Sequence, residues 1–170
     1  MPNFSVLLVD DEEDVRNALT RTLRREGWDL HLASSGAEAL EILERVPVDL
    51  VLTDQRMPGM TGLELIKVVR ERFPQVMRVI LTGYAEFETI KAAVNDAEIF
   101  RFLTKPWDAE DLRLTLRSAA ERRALERERD ELLALVRRQQ TQLAELEKTH
   151  PGITQVERDE TGAIVIPDEE

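Results

Sequence analysis

The chain has 170 residues, 42% of them hydrophobic and 34% charged, and 34 Asp and Glu against 23 Lys and Arg give a formal net charge of −11. That length suits one compact domain with an appendage, and no apolar run approaches the ~20 residues of a membrane-spanning helix. The absence of cysteine excludes disulfides, thiolate metal sites and thiol nucleophiles, and the only two histidines, His31 and His150, lie too far apart to suggest a zinc site.

The acidic balance also speaks against non-specific binding to nucleic acid or anionic lipid, and it fits a pocket built for a cation. Met1-Pro2-Asn3 leads straight into an apolar run without the features of a secretion signal, so cytoplasmic residence is the expectation.

Phe4 to Val9 is a nearly continuous apolar run, as expected of a strand buried on both faces. Val15, Ala18, Leu19, Thr22 and Leu23 then recur at helical spacing. Leu30 to Ala33 reads as a shorter strand, followed by a helix marked by Ala39, Leu40 and Leu43. Val48 to Thr53, Val76 to Leu81 and Ile99 to Leu103 read as three further strands. Between them lie helical stripes at Leu65, Ile66 and Val69, and at Phe87, Ile90 and Val94.

Strand–helix alternation of this kind predicts an α/β fold, a doubly wound five-stranded parallel sheet with right-handed crossovers. The order 2-1-3-4-5 is the simplest closure, and it directs ligands to the carboxyl ends of the strands where the order reverses.

Beyond Leu103 the texture changes. Asp108 can cap a helix whose first turn holds Glu110 and Asp111, and no Pro or Gly follows until Pro151. The helix is therefore expected to run for about 40 residues, or ~60 Å, which exceeds one domain face. Leu112, Leu116, Ala119 and Ala120 can complete the globular core. Further on, Leu125, Leu132, Gln139 and Leu146 fall seven apart, with Arg129, Val136 and Leu143 four behind the first three, a short heptad seam interrupted by Arg129 and Gln139. The expected organisation is a globular domain over 1–120, a coiled-coil extension over 121–150, and a hairpin or flexible tail over 151–170 after the His150-Pro151-Gly152 stop. A two-stranded hairpin is marginal alone and would need a partner surface.

Polar residues cluster at the expected strand ends: Asp10 and Asp11 after the first, Asp54 after the third, Thr82 after the fourth, and Lys105 two past the fifth. Each alone has an ordinary explanation as a cap, turn or loop residue. Together they require several coincidences at one end of one sheet. Converging carboxylates stay ionised at neutral pH only if a cation offsets them, and Mg²⁺ (or Mn²⁺) is the natural hard occupant. In phosphoryl transfer, charge on the equatorial oxygens is stabilised mainly by positioned cations and donors. A metal ion and the Lys105 ammonium can flank such a group while Thr82 donates a hydrogen bond. Asp54, on the central strand of the three, is the expected nucleophile.

These motifs, with Met57-Pro58-Gly59-Met60-Thr61-Gly62 after Asp54, Thr82-Gly83 and Lys105-Pro106, resemble the receiver domain of bacterial response regulators over roughly residues 4–120. The resemblance implies a phosphoacceptor switch charged by a histidine kinase and losing its phosphoryl group slowly, rather than an enzyme with its own output. It implies that Asp11, Asp54 and the backbone carbonyl of Arg56 ligate the metal directly and that Asp10 acts largely through a bound water. It implies that Thr82 and Lys105 contact the phosphoryl group and that Phe102 is the switch aromatic. Phe102 lacks a hydroxyl, so a hydrogen-bonded version of the switch is not expected. Arg56, two past the acceptor, and Tyr84, two past the threonine, depart from the commonest small or amide choices, and both are expected to tune self-dephosphorylation.

No output domain is read from the sequence, so signalling is expected through a homodimer of the long helix, with its seam at Leu125, Leu132, Val136, Gln139, Leu143 and Leu146, or through a downstream protein partner. Passing the phosphoryl group on to a histidine phosphotransfer protein is the alternative. Haloacid-dehalogenase-like phosphatases also use an aspartyl nucleophile with Mg²⁺, but theirs sits after the first strand in an Asp-x-Asp arrangement. A DNA-binding zipper is disfavoured because Arg122, Arg123, Arg127 and Arg129 alternate with Glu121, Glu126 and Glu128. Neither nucleic acid nor membrane is an expected partner.

Overall fold

The computed structural model describes residues 3–83, 85–86 and 99–152. The stripe at Phe87, Ile90 and Val94, Tyr84, and the tail expected to form a hairpin lie outside the described residues. The chain divides into two units, Met1–Ala124 and Leu125–Glu170.

The first unit is built on a parallel sheet of five strands, β1 (Ser5–Val9), β2 (Asp29–Ala33), β3 (Leu50–Asp54), β4 (Met77–Gly83) and β5 (Arg101–Lys105), in the order β2-β1-β3-β4-β5. The doubly wound topology expected from the alternation is thus present. Strand side chains alternate between two cores, because successive residues point to opposite faces. Leu7, Val9, Val51 and Ile80 face one core, and Val6, Leu8, Leu50, Leu52, Val79 and Leu81 the other. Runs with no polar alternation follow directly from burial on both sides.

Helices α1 (Glu13–Leu23), α2 (Gly36–Arg45), α3 (Gly62–Arg72) and α4 (Ala109–Thr149) supply the outer layers. From α2 and α3, Ala39, Leu43, Leu65, Ile66 and Val69 enter the first core; Leu19 and Leu23 of α1 and Leu112, Leu116 and Ala119 of α4 enter the second. A short 3₁₀ turn, Arg24–Glu26, links α1 to β2. The caps are legible. Ser35 accepts from the Glu38 N–H at the start of α2, and Thr61 and Glu64 form a reciprocal capping box on α3. The Asp108 carboxylate accepts from the N–H groups of Glu110 and Asp111, both at 2.9 Å, at the start of α4.

Several strand bounds differ from expectation. The fifth strand begins at Arg101 and includes Lys105, instead of spanning Ile99 to Leu103, because Gly83 of β4 pairs with Lys105 and carries the ladder past the apolar run. Asp54 and Thr82 likewise belong to β3 and β4 themselves. Pairing with a neighbour, rather than side-chain polarity, decides where a strand ends.

Within the first unit, arginines of α4 bind the sheet domain. Arg117 makes two 2.8 Å hydrogen bonds to Glu26, and the Arg122 guanidinium lies 5.9 Å from the Phe100 ring centroid. Arg123 Nε is 3.4 Å from the buried Asp49 carboxylate, which also accepts from the Ser5 N–H.

In the second unit, residues 125–149 are helical, and Leu125, Leu132, Val136, Leu143 and Leu146 are between 46% and 66% exposed. Gln139 is exposed on the same helix. Leu133 and Leu135, which the seam did not include, are exposed as well and widen the apolar surface around one turn. The helix stops at Thr149, and Gly152, at φ 90, donates its N–H to Glu147. Among the described residues, no helix is long and apolar enough to cross a membrane.

Candidate functional site

Parallel pairing in register brings the carboxyl ends of the inner strands level. Val9 pairs with Thr53, Asp54 with Leu81, and Gly83 with Lys105. The chain leaving each of these ends carries a polar side chain toward the same crevice. Asp10 follows β1, and its N–H donates to the Ala33 carbonyl while its carbonyl accepts from Arg16, which fixes the backbone there.

The loop after β3 is held by backbone bonds and by close packing. Gln55 N–H donates to Leu81 O at 3.1 Å, and Gly62 N–H donates to Gln55 O at 3.0 Å. A Cβ on Gly62 would lie 2.2 Å from the Asp54 carbonyl oxygen, so only glycine lets α3 begin this close to the end of β3. Gly59, at φ 81, supplies the left-handed turn between them.

The three carboxylates Asp10, Asp11 and Asp54 each offer an oxygen within 4.8 Å of the others. Asp10 and Asp54 are buried and Asp11 is exposed. Lys105 Nζ sits between the buried pair, 2.9 Å from Asp10 Oδ2 and 2.8 Å from Asp54 Oδ1. The other oxygens are also engaged: Asp10 Oδ1 accepts from the Glu12 N–H and Asp54 Oδ2 from the Arg56 N–H, both at 2.9 Å. Burial raises the Asp54 carboxyl above the ordinary carboxylate range, and the Asp10 charge adds to this against the opposing pull of Lys105. Burial would lower the Lys105 ammonium, but its bonds to Asp54 and Asp10 outweigh this and hold it above the usual lysine value.

Thr82 is fully buried on β4, and its hydroxyl donates to Glu86 Oε2 at 3.2 Å, with Gly83 O at 3.4 Å. Glu86 in turn pairs with the Arg56 guanidinium. Asp11, Glu12, Asp54, Arg56, Met57, Pro58, Gly83, Glu86 and Lys105 line an open cleft of about 630 Å³. The donor set nearest the cleft floor is all oxygen and anionic, which fits a hard divalent cation and not a soft one.

Asp10, Asp11, Asp54 and Lys105 therefore converge, and Arg56 lines the same cleft. Phe102 is partly buried on β5, packed against the first core beside Ile80. Glu86 was missed from the sequence. Its only local signal is the four-residue spacing from Thr82, since Arg56 lies on a distant loop.

This sheet order with an acidic cleft at the strand ends is that of a doubly wound α/β module with a ligand site where the order reverses. Residues 6–117 match the response regulator receiver domain family, and the chain belongs to it. It is 45% identical over 122 residues to the hydrogenase transcriptional regulatory protein HoxA of Cupriavidus necator, spanning 72% of this chain and 25% of HoxA. It is 42% identical over 113 residues to the response regulator protein PilR of Pseudomonas aeruginosa, spanning 66% of this chain and 25% of PilR. The chain thus spans about a quarter of the length of these curated relatives. Among solved structures, the signal receiver domain of an HD domain-containing protein from Pseudomonas fluorescens Pf-5 superposes with a TM-score of 0.71 at 36% identity, covering 76% of this chain and 95% of that one.

Proposed function

We propose that the first unit is a phosphorylation-dependent signalling switch in which Asp54 accepts a phosphoryl group from a histidine kinase. The observation that carries this reading is the Lys105 ammonium held within 2.9 Å of both Asp10 and Asp54, beside a third carboxylate. Family membership supports the same reading. In the transfer, an Asp54 oxygen bonds to phosphorus as the N–P bond of the phosphohistidine breaks, and the electron pair returns to the imidazole. Asp10, Asp11, Asp54 and the Arg56 carbonyl would hold Mg²⁺ or Mn²⁺, which neutralises charge on the phosphoryl oxygens when bound. Lys105 supplies a second cation to those oxygens. Thr82 donates its hydroxyl proton to them, and Phe102 follows that movement as the switch aromatic. Arg56 and Tyr84 set access of the attacking water, so the acyl phosphate is lost slowly.

The output we propose is homodimerisation of the long helix through Leu125, Leu132, Val136, Gln139, Leu143 and Leu146. Most of these are apolar and exposed, and a seven-residue repeat aligns them with the same residues of a second copy. Light scattering of the phosphorylated protein should give a dimer, and the Leu132→Lys, Leu143→Lys double variant a monomer. A monomer for the unaltered chain in both phosphorylation states removes this part of the reading.

The test of the acceptor is incubation with acetyl phosphate and Mg²⁺ followed by mass spectrometry. The chain should gain the mass of one phosphoryl group, and Asp54→Ala should gain none. An unmodified wild-type chain, or equal labelling of Asp54→Ala, overturns the assignment.

A further inference from the structure

The Thr82 hydroxyl carries a single proton, and a fully buried hydroxyl must give it to a protein acceptor. The Glu86 carboxylate receives it at 3.2 Å and is charged, whereas the neutral Gly83 carbonyl is farther, at 3.4 Å. Glu86 is also the partner of Arg56. Its side chain is only a quarter exposed, against 83% for the arginine, so the carboxylate is the sheltered and better-placed member of the pair. Glu86, Arg56, Asp54 and Lys105 all line one cleft.

From this we infer that Glu86 is a positioning residue that retains the Thr82 hydroxyl proton in the resting protein and competes for it with a phosphoryl group on Asp54. The inference rests on Asp54 being the acceptor. Thr82 cannot donate to Glu86 and to a phosphoryl oxygen at once. A phosphoryl dianion also brings like charge into the cleft that Glu86 lines, which disfavours the resting arrangement. Glu86 therefore sets how much of the free energy of phosphoryl binding is needed to release Thr82, and with it the balance between resting and switched forms.

The probe is beryllofluoride with Mg²⁺, added to the full chain and followed by fluorine NMR of the bound species. Glu86→Ala should bind it about fivefold to tenfold more tightly than wild type, the worth of one hydrogen bond no longer surrendered. In a Thr82→Ala background the same change should give a clearly smaller gain, because the contest for the proton is gone and only the like-charge effect of Glu86 remains. Glu86→Gln keeps a neutral, weaker acceptor for the hydroxyl and should fall between wild type and Glu86→Ala. Unchanged or weaker binding by Glu86→Ala overturns the inference, and so does an equal gain in both backgrounds. Glu86→Gln matching Glu86→Ala overturns it too, since charge alone would then act. Wild type that fails to bind beryllofluoride at Asp54 instead overturns the acceptor assignment on which the inference stands.

Discussion

At the scale of single residues, the site concentrates negative charge and places one ammonium against it. Asp10 is 1% exposed, and its carboxylate is tolerated because Lys105 Nζ and the Glu12 N–H both reach it. Lys105→Met removes the cation from two buried carboxylates, so the variant should be less stable than wild type by about 2 kcal/mol without divalent metal. Millimolar Mg²⁺ should recover much of that loss if the three carboxylates hold it, which thermal denaturation with and without Mg²⁺ checks. Gly62 makes a different demand. Gly62→Ala forces the start of α3 away from the Asp54 carbonyl, and a loss of about 2 kcal/mol is expected, read by urea denaturation. Phosphoryl uptake should fall with it under the proposed function, because the same backbone carries Asp54.

At the scale of elements, the caps are local and their contributions separable. Thr61→Ala removes one half of the capping box on α3 and should cost about 1 kcal/mol. The other half depends on pH. The Thr61 backbone N–H, and after it the hydroxyl, hold the Glu64 carboxyl below the ordinary glutamate value. A carboxyl lowered on folding stabilises the folded state fully above its unfolded pKa. That contribution is lost as pH falls through the lowered folded value. The stability difference between wild type and Glu64→Gln should therefore be present at neutral pH and shrink on acidification, which denaturation at a series of pH values measures. The Glu38 carboxyl, lowered by the Ser34 hydroxyl and N–H, follows the same sign at α2.

At the scale of the whole molecule, the sequence shows the sheet order and the acidic crevice for a physical reason. Apolar runs without alternation mark strands covered on both faces, and a parallel sheet leaves its ligand-facing residues at one end, so Asp10, Asp54 and Lys105 meet although Asp10 and Lys105 lie far apart in the chain. What stays hidden is whatever depends on one charged side chain choosing another. Glu86 meets Arg56, and Arg123 meets Asp49, without any local pattern, since Arg and Glu are abundant throughout. The bounds of β5 are hidden for a related reason, since the paired segment Arg101–Lys105 is offset by two residues from the apolar run Ile99 to Leu103. Arg101 and Thr104 are exposed, and only hydrogen bonding to β4 makes their segment a strand. Arg123→Ala should cost about 2 kcal/mol in chemical denaturation, moderated by the Ser5 N–H that still reaches Asp49.

Strand β5 joins these scales. Phe100, just before it, lies under the Arg122 guanidinium of α4, and Lys105, its last residue, holds the Asp54 carboxylate. The five residues of β5 thus join the acidic cleft to the helix face. If Lys105 advances toward a new anion by a fraction of an ångström, the ring at the opposite tip is drawn along and α4 receives the pull, in step with any turn of Phe102 on the same strand.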